Sequence, residues 1–368
     1  MTTDPCAVRA HDLGKTYSVR GVKGGVRALD GLDVTVDRGI VFGLLGPNGA
    51  GKSTAVKILT TLTRPDRGAA EIEGVDVLRR PDRVRRLIGV VAQRSGSDPR
   101  ATTRENLVLQ ARMHGMSGPA ARARTTELLD RFDLSEVADR LVRTLSGGTQ
   151  RRLDVALGLV HRPAVLFLDE PTTGLDPEAR TAMWAEIRRL AGRDGLTVVL
   201  TTHYLEEADR LAHRLAIVDR GRVVAGGTPD ELKGELRGDA VHLDLPAGTV
   251  PAEVRAVLEA LPAVREVRVA GGGVSARSDN GPAAVPTVLA ALERAGMPAA
   301  AVTVARPSLD DVFLRYTGRR YTPGDLPGTP GSPGTPPAAT SPVPASGAAA
   351  GEGPADQSTP SASREAAR

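Results

Sequence analysis

One stretch of nine residues constrains this chain more than any other. Gly46-Pro47-Asn48-Gly49-Ala50-Gly51-Lys52-Ser53-Thr54 lies between an apolar, strand-like run at Ile40–Leu45 and a helical run at Ala55–Leu62. Glycine, four residues, then Gly-Lys-Ser is the pattern of a loop that wraps phosphate between a strand and a helix. The glycines let successive backbone N–H groups curl around phosphate oxygens, and the helix start adds a favourable dipole. In such a loop Lys52 reaches the β- and γ-phosphates of a nucleotide and Ser53 ligates Mg²⁺. A turn that merely joined a strand to a helix would need no lysine at that offset. The loop calls for strands alternating with helices, and the first ~235 residues alternate in that way.

A second feature strengthens the first. Val165-Leu166-Phe167-Leu168-Asp169-Glu170 reads as a buried strand that ends in two carboxylates. The carboxyl end of a core strand, beside the loop after another strand, is where ligands bind in open α/β sheets. Asp169 fits the carboxylate that holds Mg²⁺ beside a phosphate loop. Glu170 follows directly and points elsewhere, toward an attacking water. Without Lys52 upstream, an Asp-Glu pair would be no more than a strand ending at the surface.

Composition narrows the class. The chain has 368 residues, enough for two or three domains with a sizeable core. A lone Cys6 excludes a disulfide framework and a cysteine metal cluster. The longest apolar runs are strand-length, far below the ~18–20 residues that span a bilayer, and no signal peptide opens the chain. A soluble protein of a reducing compartment is expected, with any membrane role supplied by a partner. The net charge of +4 is small, and the arginines are dispersed among acids along helical stretches, with only nine aromatics in all. Nucleic-acid binders cluster their basic residues and supply stacking aromatics, so no nucleic-acid partner is expected.

The pattern changes near Gly234–Gly238. Beyond it Val241–Leu245 alternates, and Val254, Val257, Leu258 and Leu261 mark one helix face. Val264–Ala270 alternates, Gly271–Gly273 turns the chain, and Val274–Arg277 returns. Val285, Val288, Leu289 and Leu292 repeat the helical spacing and Ala299–Ala305 closes the unit. That is a βαββαβ, ferredoxin-like layout built from two similar halves. It offers few candidate catalytic side chains and reads as a regulatory or docking module, followed by a short amphipathic segment at Ser308–Tyr316. From Thr322 to Arg368 the chain holds ten of its 27 prolines and seven glycines but no Ile, Met, Phe, Trp or Tyr. Such a segment cannot bury enough apolar surface to offset its ordering entropy and is expected to be disordered. The expected division is therefore residues 1–238, 239–320 and a tail at 321–368.

Five ordered elements now stand in sequence. They are the phosphate loop, Gln93 after the strand Ile88–Ala92, Leu145-Ser146-Gly147-Gly148-Thr149-Gln150-Arg151, the Asp169-Glu170 strand with Gly174-Leu175-Asp176-Pro177, and His203 after the strand Thr197–Thr201. Together they resemble the ATP-binding cassette (ABC) ATPases over roughly residues 8–235. The resemblance implies an α/β P-loop nucleoside triphosphatase domain with a helical subdomain, using ATP and Mg²⁺. It implies a homodimer in which two cassettes sandwich two ATP molecules head to tail. Residues Gly46, Pro47, Asn48, Gly49, Ala50, Gly51, Lys52, Ser53 and Thr54 would then hold the nucleotide, with Tyr17 stacked on adenine. Ser53, Asp169 and Gln93 would hold Mg²⁺. Glu170, His203 and Gln93 would serve catalysis, and Asp176 the dimer contact. Ser146, Gly147, Gly148 and Thr149 would grip the ATP bound to the partner. The chain departs from the family at Thr149, where Gln is common, and at Ile40, where many relatives carry Glu. Neither position touches phosphate chemistry.

Arg152-Leu153-Asp154-Val155-Ala156, the ferredoxin-like unit and Pro307-Ser308-Leu309-Asp310-Asp311-Val312-Phe313-Leu314 resemble the daunorubicin-resistance-type exporter ATPases. That resemblance implies a bacterial ATPase on the cytoplasmic face of the membrane, working with a separate integral-membrane permease in efflux of a drug or natural product. A soluble cassette ATPase of translation is the alternative, but such chains usually fuse two cassettes and this one carries a single phosphate loop and a single signature. Repair relatives split the cassette with long coiled coils, which are absent here. A non-hydrolysing switch would lack Glu170 or His203, and both are present.

Overall fold

The computed structural model describes residues 6–18, 24–246, 248–270 and 273–318. The expected tail at 321–368 lies outside the described residues, as do Gly271 and Gly272 of the expected turn. The chain opens with two 12-residue strands, β1 (Cys6–Tyr17) and β2 (Val26–Asp37), then β3 (Val41–Leu45) and helix α1 (Lys52–Leu59). There follow β4 (Arg67–Ile72), β5 (Val75–Asp76), α2 (Pro81–Leu87) and β6 (Ile88–Val91). Helices α3 (Thr103–Met113), α4 (Gly118–Arg131) and α5 (Gly147–Gly158) precede strand β7 (Val165–Asp169). Next come α6 (Pro177–Gly192), β8 (Thr197–Thr202), α7 (Leu205–Leu211), β9 (Arg214–Asp219), β10 (Arg222–Gly227) and α8 (Pro229–Gly234). No helix among the described residues is long and apolar enough to cross a membrane.

The central sheet runs β10-β9-β3-β8-β7-β6, parallel throughout except for the β9–β10 hairpin. Strands β3 and β8 are buried along their whole length, as continuous Val and Leu runs are when both faces of a parallel sheet are covered. Alternate residues serve opposite faces. Leu166, Leu168, Val198 and Leu200 pack with Leu107, Leu128, Leu153 and Ile187 of the helical side. Phe42, Leu44, Val165, Phe167 and Val199 pack on Ile58, Leu59 and the N-terminal sheet. That second sheet is antiparallel, in the order β2-β1-β4-β5. In the central sheet Leu45 pairs with Thr202, and Asp169 with Thr201. This register brings the carboxyl ends of β3, β7 and β8 to one edge, so the loops carrying Lys52, Glu170 and His203 emerge together.

Helix α1 begins at Lys52 and ends at Leu59, three residues before the expected run at each end. Its N-cap is Gly51, in the left-handed region with no side-chain cap, and capping residues are what mark a helix start in sequence. A Cβ on Gly51 would lie 2.5 Å from the Ala28 carbonyl oxygen, so β2 and the loop can approach this closely only over glycine.

The C-terminal part contains β11 (Asp239–Asp244), α9 (Pro251–Glu259), β12 (Arg265–Ala270), β13 (Gly273–Ser278), α10 (Gly281–Arg294) and β14 (Ala301–Ala305). Its antiparallel sheet runs β12-β13-β11-β14, the strand order of a ferredoxin-like βαββαβ unit. Leu243, Val254, Leu258, Val274, Val288 and Leu292 form its own core. The amphipathic segment folds as α11 (Leu309–Thr317), capped by Ser308 and Asp311 at one end and by left-handed Gly318 at the other.

Helix α11 does not complete the core of the unit it follows. Its apolar residues Leu309, Val312 and Phe313 pack with Leu45, Leu205, Ala208, Leu215, Ile217, Leu232 and Leu236 around α7 and α8. Its charged face turns to the C-terminal sheet, where Asp311 lies 3.7 Å from Arg277 and Arg315 lies 3.8 Å from Glu266. The Tyr316 hydroxyl donates to Glu235 just beyond α8. Phe313 is therefore expected to hold α11 onto α7 and α8. Phe313→Ala should cost about 3–5 kcal/mol, the usual loss on emptying a buried Phe site. A urea midpoint for the full-length variant equal to the wild-type value would show that α11 does not contribute.

Candidate nucleotide site

The loop between β3 and α1 is closed by its own backbone and by a neighbour. Ala50 N–H donates to the Pro47 carbonyl (3.2 Å), and Gly221 N–H donates to the Ala50 carbonyl (2.8 Å). Gly221 in turn accepts from Asp30 N–H at 3.0 Å, which ties β2, the β9–β10 turn and the loop together. The Lys52 ammonium donates to the carbonyls of Gly46 (2.6 Å) and Pro47 (3.0 Å), so it lies over the loop. Burial pushes its pKa below the ordinary lysine value, while the charges of Glu170 and Asp169 pull it back up. The ammonium, nearly buried and held over the loop, is the positive charge that a bound phosphate group would need there.

Ser53, one residue further on, donates from its hydroxyl to Asp169 Oδ1 at 3.3 Å. The same oxygen accepts from the Thr201 hydroxyl at 2.5 Å. Thr201 also accepts at its Oγ1 from Glu170 N–H (3.1 Å), so one hydroxyl fixes both carboxylate residues at the end of β7. The serine hydroxyl, the aspartate and the Gln93 side-chain carbonyl supply oxygen donors only, and a hard oxygen set suits Mg²⁺. These residues fit that ion.

Glu170 is turned away from Asp169 by a backbone in the left-handed region, with φ +49°. Its Oε1 lies 3.1 Å from His203 Nδ1. Its Oε2 accepts from Gln93 Nε2 (3.1 Å) and from the Thr173 hydroxyl (3.3 Å). The neighbouring His203 holds the carboxyl below the usual glutamate range; Lys52 and Thr173 add to this, and burial opposes it. Glu170 is therefore ionised and oriented at three of its edges, which is what a water-polarising carboxylate needs.

The structure thus brings Lys52, Ser53, Gln93, Asp169, Glu170 and His203 to one sheet edge. Ser146, Gly147, Gly148, Thr149 and Asp176 form a second cluster. Ser146 caps α5 by accepting from Thr149 N–H, and Asp176 caps α6 by accepting from Ala179 N–H. A Cβ on Gly148 would lie 2.9 Å from the Ala179 side chain, so α5 and α6 meet closely over this glycine. Tyr17 ends β1, partly buried, with the Lys15 ammonium 5.7 Å from its ring centre.

Three contributors were not assigned roles from sequence. Thr201 could have been found as a hydroxyl directly after the aliphatic run Val198–Leu200 of a buried strand, two residues before His203. Thr173 carries no such signal. Arg151 was visible only as part of the signature run, yet it is 7% exposed and donates to four backbone carbonyls.

Comparison with known proteins gives the chain its relatives. The pattern of the ABC transporter family matches residues 29–173, and that of a DrrA1-3-like C-terminal domain of ATP-binding proteins matches residues 227–317. The chain is 48% identical to the daunorubicin resistance ATP-binding protein DrrA3 of Streptomyces coeruleorubidus, over 80% of this chain and 92% of that one. It is 44% identical to the Nod factor export ATP-binding protein I of Burkholderia thailandensis, over 79% of this chain and 92% of the other. Among solved structures, an ATP-binding cassette captured as a dimer in a post-hydrolysis state with ADP and phosphate superposes with a TM-score of 0.55. It is 29% identical and covers 60% of this chain and 98% of its own.

Proposed function

The chain belongs to the ABC transporter family of ATP-hydrolysing cassettes, and from that premise we propose how it works and with what. It is the ATP-binding subunit of an exporter that moves a drug or natural product through a separate membrane permease. One observation carries this reading: the likeness to drug-resistance and Nod-factor-export subunits spans nine-tenths of their length and includes the C-terminal unit. No finding favours a role in translation. The chain lies peripherally on the cytoplasmic face of a bacterial membrane and acts as a homodimer on its permease. Residues 1–238 are the ATPase domain and 239–320 the accessory domain.

In this reading the loop Gly46–Thr54 cradles the ATP phosphates and Lys52 neutralises the β- and γ-phosphoryl oxygens. Tyr17 stacks on adenine. Ser53, Asp169 and Gln93 hold Mg²⁺, which when bound offsets charge on the transferring phosphoryl group. Glu170 orients and polarises the water that attacks the γ-phosphorus as the β–γ bridging bond breaks. His203 keeps Glu170 aimed and ionised. Ser146, Gly147, Gly148 and Thr149 close over the partner's γ-phosphate, where the start of α5 offers free N–H groups, and Asp176 lies at the dimer seam.

The test is transport. Inverted membrane vesicles containing the full-length chain and its permease are expected to accumulate daunorubicin, used as the probe, only when MgATP is supplied. A chain that sediments with ribosomes and hydrolyses ATP at full rate without any membrane protein would overturn the exporter reading.

A further inference from the structure

Arg151 sits one turn into α5, four residues after Gly147 and three after Gly148. Its guanidinium is buried, and it spends its donors on backbone rather than on a matched carboxylate. Nε donates to the Pro171 carbonyl at 2.8 Å and Nη1 to the Ala92 carbonyl at 2.7 Å. Nη2 donates to the carbonyls of Asp169 (3.2 Å) and Glu170 (3.4 Å). One side chain thus holds the peptide before Gln93 and the peptides on both sides of Glu170. The Gln93–Glu170 hydrogen bond described above is therefore anchored at both ends by the same guanidinium. The α5 helix adds a second tie, one turn further on. Asp154 lies 3.8 Å from Arg151 and accepts at Oδ1 from the Ser95 hydroxyl at 2.6 Å, two residues past Gln93. Asp154, like Arg151, is only 7% exposed.

Such an arrangement is costly unless it is used. Burial pushes the Arg151 guanidinium down from its ordinary pKa, with Asp154, Asp169 and Glu207 opposing, and it pushes the Asp154 carboxyl up. A lysine could reach one or two of these carbonyls as a point charge, whereas the planar fork of arginine reaches four at once. An apolar residue would fill the volume without ordering the loops.

We propose that Arg151, seconded by Asp154, is a positioning residue that sets the Gln93–Glu170 pair in register with Ser146–Gly148. The inference rests on the ATPase reading and deepens it. The helix whose start grips the partner's nucleotide also carries, one turn later, the group that aligns its own subunit's water-polarising carboxylate. Hydrolysis in one site is thereby made to depend on what the signature of the same subunit holds.

The experiment uses the full-length chain in complex with its permease, with MgATP binding and hydrolysis both measured. Arg151→Gln is expected to lower kcat about 10–100-fold, the scale of a misplacement of about 1 Å at the chemistry, with ATP affinity changed less than about threefold. Arg151→Lys should recover part of the rate. Combined with Gln93→Ala, Arg151→Gln should add little beyond the worse single loss, because both act on one pair. A kcat for Arg151→Gln within twofold of wild type, or losses that simply multiply in the double variant, would overturn the proposal. Should Arg151→Gln yield no folded protein, Ser95→Ala decides. A kcat lowered severalfold at unchanged ATP affinity supports the assignment, and a wild-type kcat removes it. A wild-type complex that binds MgATP without hydrolysing it would instead remove the ATPase reading, and this inference with it.

Discussion

Glu170→Gln is expected to separate binding from hydrolysis. The substitution preserves size, and Gln suits the left-handed backbone at residue 170 as well as Glu does, so no new strain enters. What disappears is the charge that His203 and Lys52 stabilise, and with it the capacity to take a proton from water. Loss of a general base costs about 10²–10⁴-fold in rate. Lys52, Ser53 and Asp169 are untouched, so MgATP affinity should remain near wild type. With hydrolysis blocked, the closed head-to-tail sandwich should persist as an ATP-dependent dimer on size exclusion, a species the wild type forms only transiently. Wild-type turnover in this variant would remove Glu170 from the catalytic role. An inactive variant that never dimerises with ATP, even on its permease, would count against the sandwich and leave the chemistry intact.

Lys52→Ala should fail earlier, at binding. In the wild type one buried ammonium lies within the field of two carboxylates, Glu170 and Asp169. Without it, an incoming polyphosphate meets those negative charges with no nearby cation to balance them. Hydrogen bonds to a charged group contribute roughly 1.5–3 kcal/mol, which corresponds to about 10–150-fold weaker MgATP binding by titration calorimetry, and turnover should be abolished. The two variants therefore differ in kind: one binds and stalls, the other does not hold its substrate. ATPase activity near wild type in Lys52→Ala would sink the phosphate-loop assignment outright.

The central sheet was legible because its strands are written as unbroken apolar runs, and the phosphate loop because lysine at a fixed offset has no purely structural explanation. The two halves of the C-terminal sheet were legible from alternation and from repeated helical spacing. Other features were hidden for identifiable reasons. The start of α1 carries no capping side chain, so the eye moves it to the first run of apolar residues. Thr201 and Arg151 act through partners 18 to 59 residues away, and nothing local marks a hydroxyl or a guanidinium for such a use. The amphipathic spacing of Ser308–Tyr316 shows that one face must be covered. It does not say which part of the chain covers it, and the answer lies with α7 and α8 rather than with the unit just completed.

That placement of α11 bears on how the protein is made. Leu45 emerges from the ribosome early, but its cluster also contains Leu309, Val312 and Phe313, which are synthesised more than 260 residues later. At about 5–20 residues per second, the stretch between Leu236 and Phe313 alone delays closure by roughly 4–15 s. Through that interval α7 and α8 expose an apolar surface that nothing yet covers. The nascent ATPase part is thus open to chaperone capture, or to misassembly with other nascent chains, until Phe313 has been made. A messenger truncated before Phe313 would yield a polypeptide that carries Lys52, Glu170 and His203 but has an unsealed core, a substrate for quality control.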